Sequence, residues 1–236
     1  MRQSGLAAFA AAAVLALAAC RSGGAEGHAT LWVTRDNGAH VLLVRRVPAG
    51  TTALQALDRV ADIKTRYGGR FVQSIEGVGG SLTSEHDWFW FVNGYEGDRS
   101  AAEYRLHAGD VEWWDFRSWR RRQSVPVVVG AFPEPFLHGF GGKRRASVVQ
   151  ARRADAEAAR QLARLLHGRV SFAPVPASAA ANVLVLGRAT AERFYGSQRG
   201  SRAAGAPVRF VFLGDPRRLA RNPALARFRY SVGAPQ

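Results

Sequence analysis

Histidine and carboxylate side chains cluster at three places where their types could support chemistry. Glu85, His86 and Asp87 are consecutive, and imidazole and carboxylate groups serve as acid–base pairs or as ligands for divalent ions. Adjacent residues rarely converge on one ion, and the chain has no H-E-x-x-H or C-x-x-C spacing. We therefore predict a solvated loop here, with a metal or acid–base site as the alternative. Two further acidic groups, of a kind that strands and turns carry for solvation, are Glu96-Gly97-Asp98 and Asp110, Glu112 and Asp115.

A glycine-rich basic stretch, Gly139–Gly142 followed by Lys143, nearly matches a phosphate loop. The motif G-x-x-x-x-G-K-[ST] needs a glycine where this chain has Leu137, and a magnesium-binding hydroxyl where it has Arg144. These departures exclude nucleotide hydrolysis and leave either a loop that contacts an anion or a plain loop. The chain also has no G-x-S-x-G motif and only one cysteine. We predict that it is not an enzyme and requires no cofactor.

Tryptophans are stronger candidates for a binding site, since four of the six lie between Trp88 and Phe116. In a strand from Trp88 to Val92, alternate side chains make both faces apolar. Such a strand either lies between two layers or presents an aromatic face to a ligand, which it would hold by stacking and cation–π contact. Trp113 and Trp114 are adjacent and must face opposite sides of their sheet. Each tryptophan is either a core residue or part of a ligand-binding surface, and both roles stay open.

The elements that position these aromatics lie in residues 29–116, where the pattern predicts the order β-β-α-β-β. Turn-forming residues separate the predicted strands, which are Leu31–Val33, His40–Val47, Phe71–Ile75, Trp88–Val92 and Val111–Phe116. Thr52 and Gln55 fit a capping box at the start of a helix. The apolar stripe with which this helix would cover the sheet consists of Leu54, Leu57, Val60 and Ala61.

This segment resembles the bacterial domain family related to the C-terminal β-grasp domain of transcobalamin and intrinsic factor. The motifs that carry the resemblance are Trp88-Phe89-Trp90-Phe91-Val92-Asn93-Gly94, Tyr104, Gly109-Asp110 and Trp113 or Trp114. The resemblance implies an extracytoplasmic β-grasp that binds a corrinoid or another planar ligand without catalysis. The chain has no long helical domain before this segment, unlike transcobalamin. The ligand-binding residues that we predict are Trp88, Trp90, Asn93, Tyr95, Trp113 and Trp114.

The first twenty residues have the pattern of a targeting segment. Arg2 precedes an apolar run, and Leu17-Ala18-Ala19-Cys20 resembles the site at which bacterial lipoprotein signals are cleaved and the cysteine is lipidated. An ordinary signal peptide or a buried helix is the alternative. Cys20 is the single cysteine of the chain, and we predict a lipoprotein anchored to the outer face of the cytoplasmic membrane.

Arginine supplies most of the net charge of +15 and is concentrated in the second half. Residues 21–123 hold 14 basic and 13 acidic residues, a net charge of +1, whereas residues 124–236 hold 18 basic and 5 acidic residues, a net charge of +13. Such asymmetry predicts two domains, the basic one in contact with anionic lipid. An arginine-rich surface without a role is the alternative. The second half has no nucleic-acid-binding motif, and we predict no nucleic-acid partner.

The second half reads as a small α/β layer. Its predicted elements are an apolar run of strand length at Val125–Gly130, a helix at Ala154–His167, a strand at Val183–Leu186, a helix from Arg188 to Tyr195 and a strand at Phe210–Leu213. The predicted fold class is α+β, with an N-terminal β-grasp (ββαββ) and a small basic C-terminal α/β domain. The predicted divisions are a lipoprotein signal peptide (1–20), a tether (21–28), the β-grasp (29–119) and the basic domain (120–236).

The predicted function is capture of a small, planar ligand outside the cytoplasm, in support of its uptake and in association with a transporter component. The alternative from another class is a non-catalytic module that binds a protein of the cell envelope. A concave pocket walled by Trp90, Trp113 or Trp114 favours a ligand. A flat, exposed aromatic face favours a protein partner.

Overall fold

A computed structural model describes residues 27–233. The predicted signal peptide, Cys20 and most of the predicted tether lie outside the described residues. Within them, no helix is both long and apolar enough to cross a membrane. Over residues 27–233 the fold is α+β and rich in strands, with three sheets and three short α-helices.

The first half begins with a hairpin, a short helix and a return to the same sheet. Its elements are β1 (His28–Arg35), β2 (His40–Pro48), α1 (Ala53–Asp58), β3 (Ile63–Arg66), β4 (Phe71–Ile75), β5 (Val78–Gly79), β6 (His86–Val92), β7 (Tyr95–Glu96) and β8 (Val111–Ser118). One sheet has the order β2-β1-β8-β6-β7, in which β1 and β8 are parallel and the other pairs are antiparallel. The strands β3, β4 and β5 form a separate antiparallel sheet.

Helix α1 begins at the predicted capping box. The Thr52 hydroxyl accepts a hydrogen bond from the Gln55 N–H at 3.2 Å, and the Gln55 side chain accepts one from the Thr52 N–H at 3.0 Å. The helix buries Ala53, Ala56 and Leu57 against the sheet but ends at Asp58. The rest of the predicted stripe, Val60 and Ala61, therefore packs on the core from the turn that follows the helix.

The second half forms a five-stranded sheet with the order β10-β9-β11-β13-β12. Its elements are β9 (Ser147–Gln150), a 3₁₀ turn (Arg153–Asp155), α2 (Ala156–Leu165), β10 (Arg169–Ser171), β11 (Asn182–Gly187), β12 (Arg193–Gln198), β13 (Val208–Leu213), α3 (Pro216–Arg221) and a second 3₁₀ turn (Pro223–Ala226). All pairs are parallel except that of β12 with β13. Helix α2 lies against β9 and β10 and buries Ala158, Ala159, Leu162 and Ala163.

Two predictions for the second half are wrong. The predicted helix from Arg188 to Tyr195 is instead a loop followed by the edge strand β12, whose Phe194 packs against Phe210 and Phe212. Val125–Gly130 is not a strand but an irregular segment, and its valines are buried. The run is apolar because it passes through the core, so its composition says nothing about backbone pairing.

One buried cluster joins the two larger sheets. It contains strand residues from both halves together with the aromatic side chains of the connecting segment, Phe132, Phe136 and Phe140. The Phe132 ring lies 5.4 Å from Phe194, and the Phe136 ring lies 5.4 Å from Phe210. A second, smaller cluster on the other face of the first sheet consists of Trp32, Phe91, Trp113, Val125, Val128 and Ala131, with Phe228 and Tyr230 packed on it.

Candidate functional site

Five of the six residues predicted to bind a ligand are buried. Trp113 is fully buried and Trp114 is 3% exposed, while only Trp90 is partly exposed. The other buried members of the set are Trp88, Asn93 and Tyr95. Trp113 and Trp114 lie on opposite faces of β8, and neither side chain is open to solvent. Both faces of the strand are therefore covered at this point.

The face that carries Trp113 is covered by the C-terminal segment. The Tyr230 ring lies 5.5 Å from the Trp113 ring at 90°, and the Phe228 ring lies 4.7 Å from that of Trp32. The Trp113 indole N–H donates to the Thr34 hydroxyl at 2.8 Å. Trp113 is therefore part of a closed core on this face. The prediction that it contacts a ligand is wrong, because its side chain is fully buried.

The polar side-chain atoms of Asn93 and Tyr95 form hydrogen bonds within the protein. Asn93 follows β6 with a φ of +51°, and its amide donates to Asp110 at 2.7 Å and to the Gly139 carbonyl at 2.9 Å. The Tyr95 hydroxyl donates to the carbonyl of Ala206 at 2.6 Å, and burial raises the pKa of this phenol. Both side chains tie the first sheet to the second half, and neither offers a free group to a ligand.

An aromatic groove of about 290 Å³ remains on the opposite face, beside α1. Trp88, Trp90 and Trp114 all line it, with Leu54 of α1 opposite them. The Trp90 and Trp114 rings are stacked, with centroids 6.0 Å apart and an interplanar angle of 23°. We call this cavity the aromatic groove. Its tryptophans are those that alternation along β6 and β8 places on one face.

Gly97 and two arginines complete the groove. A Cβ atom at Gly97 would clash with the Trp90 indole, so the absence of a side chain lets the ring lie flat against the backbone. Arg70 forms an ion pair with Glu103, and Arg99 forms one with Asp98 at 2.8 Å. The Asp98 hydrogen bond and charge raise the pKa of Arg99. The groove thus has aromatic walls and a charged rim. The rim could not be recognised in the sequence because its arginines come from separate turns.

The acidic residues in β8 and directly before it are not solvated, contrary to the prediction. Asp110, Glu112 and Asp115 are all buried. Asp110 accepts hydrogen bonds from Asn93 and from the His107 N–H at 2.8 Å, and Asp115 accepts one from Thr34 at 2.6 Å. Asp110 therefore closes a turn, and Asp115 joins two strands.

Glu112 lies behind the aromatic groove. Its carboxyl accepts the Trp114 indole N–H at 2.6 Å, and its other oxygen has no partner among residues 27–233. Burial raises the pKa of Glu112 well above its usual value. A neutral carboxylic acid fits this setting because an ion there would lose its hydration.

The residues first considered for catalysis do not converge. His86 stacks on Phe116 and contacts the Ser84 carbonyl at 2.5 Å, Asp87 accepts the Trp88 N–H at 2.8 Å, and Glu85 pairs with Arg120 at 2.5 Å. Across residues 27–233, no group of three or more His, Cys, Asp or Glu side chains is arranged to hold a metal ion.

The glycine-rich basic stretch borders a larger cleft of about 880 Å³ between the two halves. Arg144 donates to the carbonyls of Phe136 and Leu166, and Arg145 donates to the carbonyl of Gly205 at 2.6 Å. The Gly141 N–H donates to the Tyr104 hydroxyl at 2.9 Å. These groups hold the loop to both halves, which favours the plain-loop interpretation.

Comparison with known proteins finds a family match in the first half. Residues 50–118 match a family described as a domain of unknown function, DUF4430. A candidate metal binding protein from Ruminococcus gnavus is 17% identical, with 39% of this chain and 98% of that chain covered and a TM-score of 0.33. Haptocorrin in complex with Cbi is 13% identical, with 39% of this chain and 25% of that chain covered and a TM-score of 0.32. The chain thus spans about a quarter of haptocorrin. No curated protein matches.

Proposed function

We propose that this protein is a non-enzymatic lipoprotein, anchored through Cys20 to the outer face of the cytoplasmic membrane, that binds a small planar ligand and assists its uptake. The Leu17–Cys20 pattern supports the anchor. The sheet order β2-β1-β8-β6, with parallel β1 and β8 and a helix after the first hairpin, supports a β-grasp. Uptake through a transporter component is part of the same proposal.

The aromatic groove carries the ligand proposal. Trp90 is the predicted ligand residue that is both partly exposed and lines a cavity, and its indole is fixed by Trp114 behind it and Gly97 beside it. A fixed aromatic surface binds a planar ring by stacking at little cost in side-chain entropy. The charged rim supplies donors and acceptors that select among such rings.

The size of the aromatic groove limits the ligand. Ligand cavities in proteins span roughly 300–1,000 Å³, and this groove of about 290 Å³ lies at the lower end. One flat ring system fits, whereas a corrinoid would touch the groove only along an edge. We therefore favour a small planar ligand over a corrinoid.

Native mass spectrometry of the protein purified from its own host tests the ligand. We expect a retained small molecule in the wild type, its loss in Trp90→Ala and its retention in Trp119→Ala. Trp119 is a matched control because it is also partly exposed but does not line the groove. An empty wild-type protein, or equal retention in both variants, contradicts the proposal.

The anchor has a separate test. We expect Cys20→Ala to leave the precursor uncleaved, or to release the protein from the detergent phase, and to abolish palmitate incorporation. Unchanged partitioning and labelling in this variant would rule out lipidation at Cys20. The ligand proposal would survive that result.

Strand β2 supports the alternative of a protein-binding module. It is an edge strand, and its Val41, Leu42 and Val44 are between 42% and 46% exposed. An edge of this kind can pair with an extended segment of a partner protein. A photo-cross-linker at Leu42 then gives a discrete adduct that Val44→Lys removes, whereas one at the exposed loop residue Leu82 gives none. Equal labelling from both positions argues against a specific partner.

A further inference from the structure

A third cavity, of about 600 Å³, lies on the face of the first sheet opposite the aromatic groove. It is bordered by the loop that follows β8 and by the C-terminal segment. The lining residues that matter most are Arg117, Arg120, Arg121, Arg122, Arg229 and Tyr230. We call it the arginine pocket. Its volume lies within the usual range for ligand cavities, roughly 300–1,000 Å³.

Arg117 is the structural centre of the arginine pocket. Its side chain is 1% exposed, and its guanidinium lies 3.6 Å from the Phe89 ring centroid. Its terminal nitrogens donate to the carbonyls of Arg122 at 2.6 Å and of Gln123 at 3.3 Å. The loop that carries Arg120–Arg122 is thus wrapped around a buried cation, which holds it in place before any ligand binds.

Two carboxylates, those of Glu96 and Asp115, lie near the buried charge of Arg117. The nearest carboxylate that pairs with Arg117 is that of Glu96, at 3.8 Å. The buried Arg117 Nε has no hydrogen-bond partner among residues 27–233, and the Tyr230 hydroxyl lies beside Asp115 and Arg117, which both act on the pKa of this phenol. Buried polar atoms without partners are rare in folded proteins.

The pocket surface is strongly positive. Within residues 27–233, Arg121, Arg122 and Arg229 form no ion pair. Asp36 is the one acidic side chain that lines the pocket, and its carboxylate lies 2.9 Å from His40. Guanidinium groups bind phosphate through paired N–H donors, and several of them together favour a dianion.

Part of the wall is apolar, since Val125, Leu225 and Val232 also line the pocket. We propose that the arginine pocket binds a phosphomonoester with a small apolar group, the phosphate among Arg121, Arg122 and Arg229 and the apolar group against this wall. The phosphate can belong to a soluble compound or to a lipid head group. The pocket and the aromatic groove share no lining residue, although Phe89 and Glu96, which contact Arg117, line the groove.

Isothermal titration of the full chain in a neutral detergent tests the pocket. The probes are phenyl phosphate, a water-soluble short-chain phosphatidic acid, and benzyl alcohol, which has the ring without the phosphate. We expect saturable 1:1 binding of a phosphate probe, competition by inorganic phosphate and no binding of benzyl alcohol. Binding of phenyl phosphate alone identifies a soluble ligand, and binding of the phosphatidic acid alone identifies a lipid head group. Binding of neither overturns the proposal.

Matched variants separate the pocket from general surface charge. Arg122→Gln with Arg229→Gln should weaken binding at least about tenfold, which is ~1.4 kcal/mol. Arg160→Gln with Arg164→Gln removes the same charge from the exposed face of α2 and should change nothing. The lysine pair, Arg122→Lys with Arg229→Lys, keeps the charge and should bind with intermediate affinity. Equal weakening by both glutamine pairs would show that the pocket has no role.

Discussion

Trp113 and Trp114 are neighbours on β8 whose side chains enter two different cores. Trp113 lies under Phe228 and Tyr230, and Trp114 lies behind the aromatic groove. We expect alanine at either position to cost ~3–5 kcal/mol of unfolding free energy, as for other buried aromatic residues. Trp90→Ala should cost less because its side chain is partly exposed. Urea denaturation of the three variants checks this, and a near-neutral Trp113→Ala would mean that the C-terminal segment does not cover that face.

Glu112 should make stability depend on pH. An unfolded glutamate ionises near pH 4.3, whereas burial keeps the folded carboxyl protonated to higher pH. The folded state binds more protons in that window, so the unfolding free energy falls as pH rises from about 4.3 towards the folded pKa, by at most ~1.4 kcal/mol per pH unit.

Glu112→Gln isolates this contribution. Its amide oxygen can still accept the Trp114 N–H, but the group does not titrate, so the pH slope should decrease and the variant should be the more stable protein at neutral pH. Glu157→Gln, at an exposed position of α2, is the control and should leave the slope unchanged. Denaturation series between pH 4 and pH 8 measure both. Identical slopes for Glu112→Gln and the wild type would show that Glu112 is ionised in the folded state.

At the scale of elements, sequence patterns predicted those features that depend on residues close together in the chain. The capping box and the alternation in β6 and β8 have counterparts in the structure, and α2 lies within the helix predicted at Ala154–His167. Strand β12 was missed because its conformation depends on pairing with β13, which follows it in the chain. The burial of Glu112 was missed, and the choice between core residue and ligand surface stayed open for Trp113. Both depend on segments distant in sequence, and alternation indicates faces but not what covers them.

Helix α1 is only six residues long and depends on its capping box. We expect Thr52→Ala to cost ~1 kcal/mol of unfolding free energy, whereas Thr52→Ser, which keeps the hydroxyl, should cost little. Thr83→Ala removes the same hydroxyl from an exposed loop and should be neutral. Chemical denaturation compares the three. A Thr52→Ala variant as stable as Thr83→Ala would show that packing of Ala53 and Leu57 alone holds the helix.

At the scale of the whole molecule, the distribution of charge separates the chain into two halves, whereas the packing of the core connects them. Net charges of +1 for residues 21–123 and +13 for residues 124–236 predicted two domains, with a boundary between 119 and 120. The buried cluster nevertheless runs through both halves, and the Tyr95 hydroxyl bonds to Ala206 across them. Charge asymmetry reports on surfaces and partners, whereas cooperativity in unfolding depends on shared buried contacts.

The shared core predicts a single unfolding transition for residues 27–233. All six tryptophans lie between Trp32 and Trp119, so their fluorescence reports on the first half, while hydrogen exchange in β11 and β13 reports on the second. The two probes should give coincident midpoints. Phe210→Ala, in the second sheet, should cost ~3–5 kcal/mol of unfolding free energy. It should lower the midpoint measured by tryptophan fluorescence as well, because Phe136 links Phe210 to the connecting segment. Separate midpoints, or a tryptophan transition unmoved by Phe210→Ala, would instead establish two domains that unfold independently.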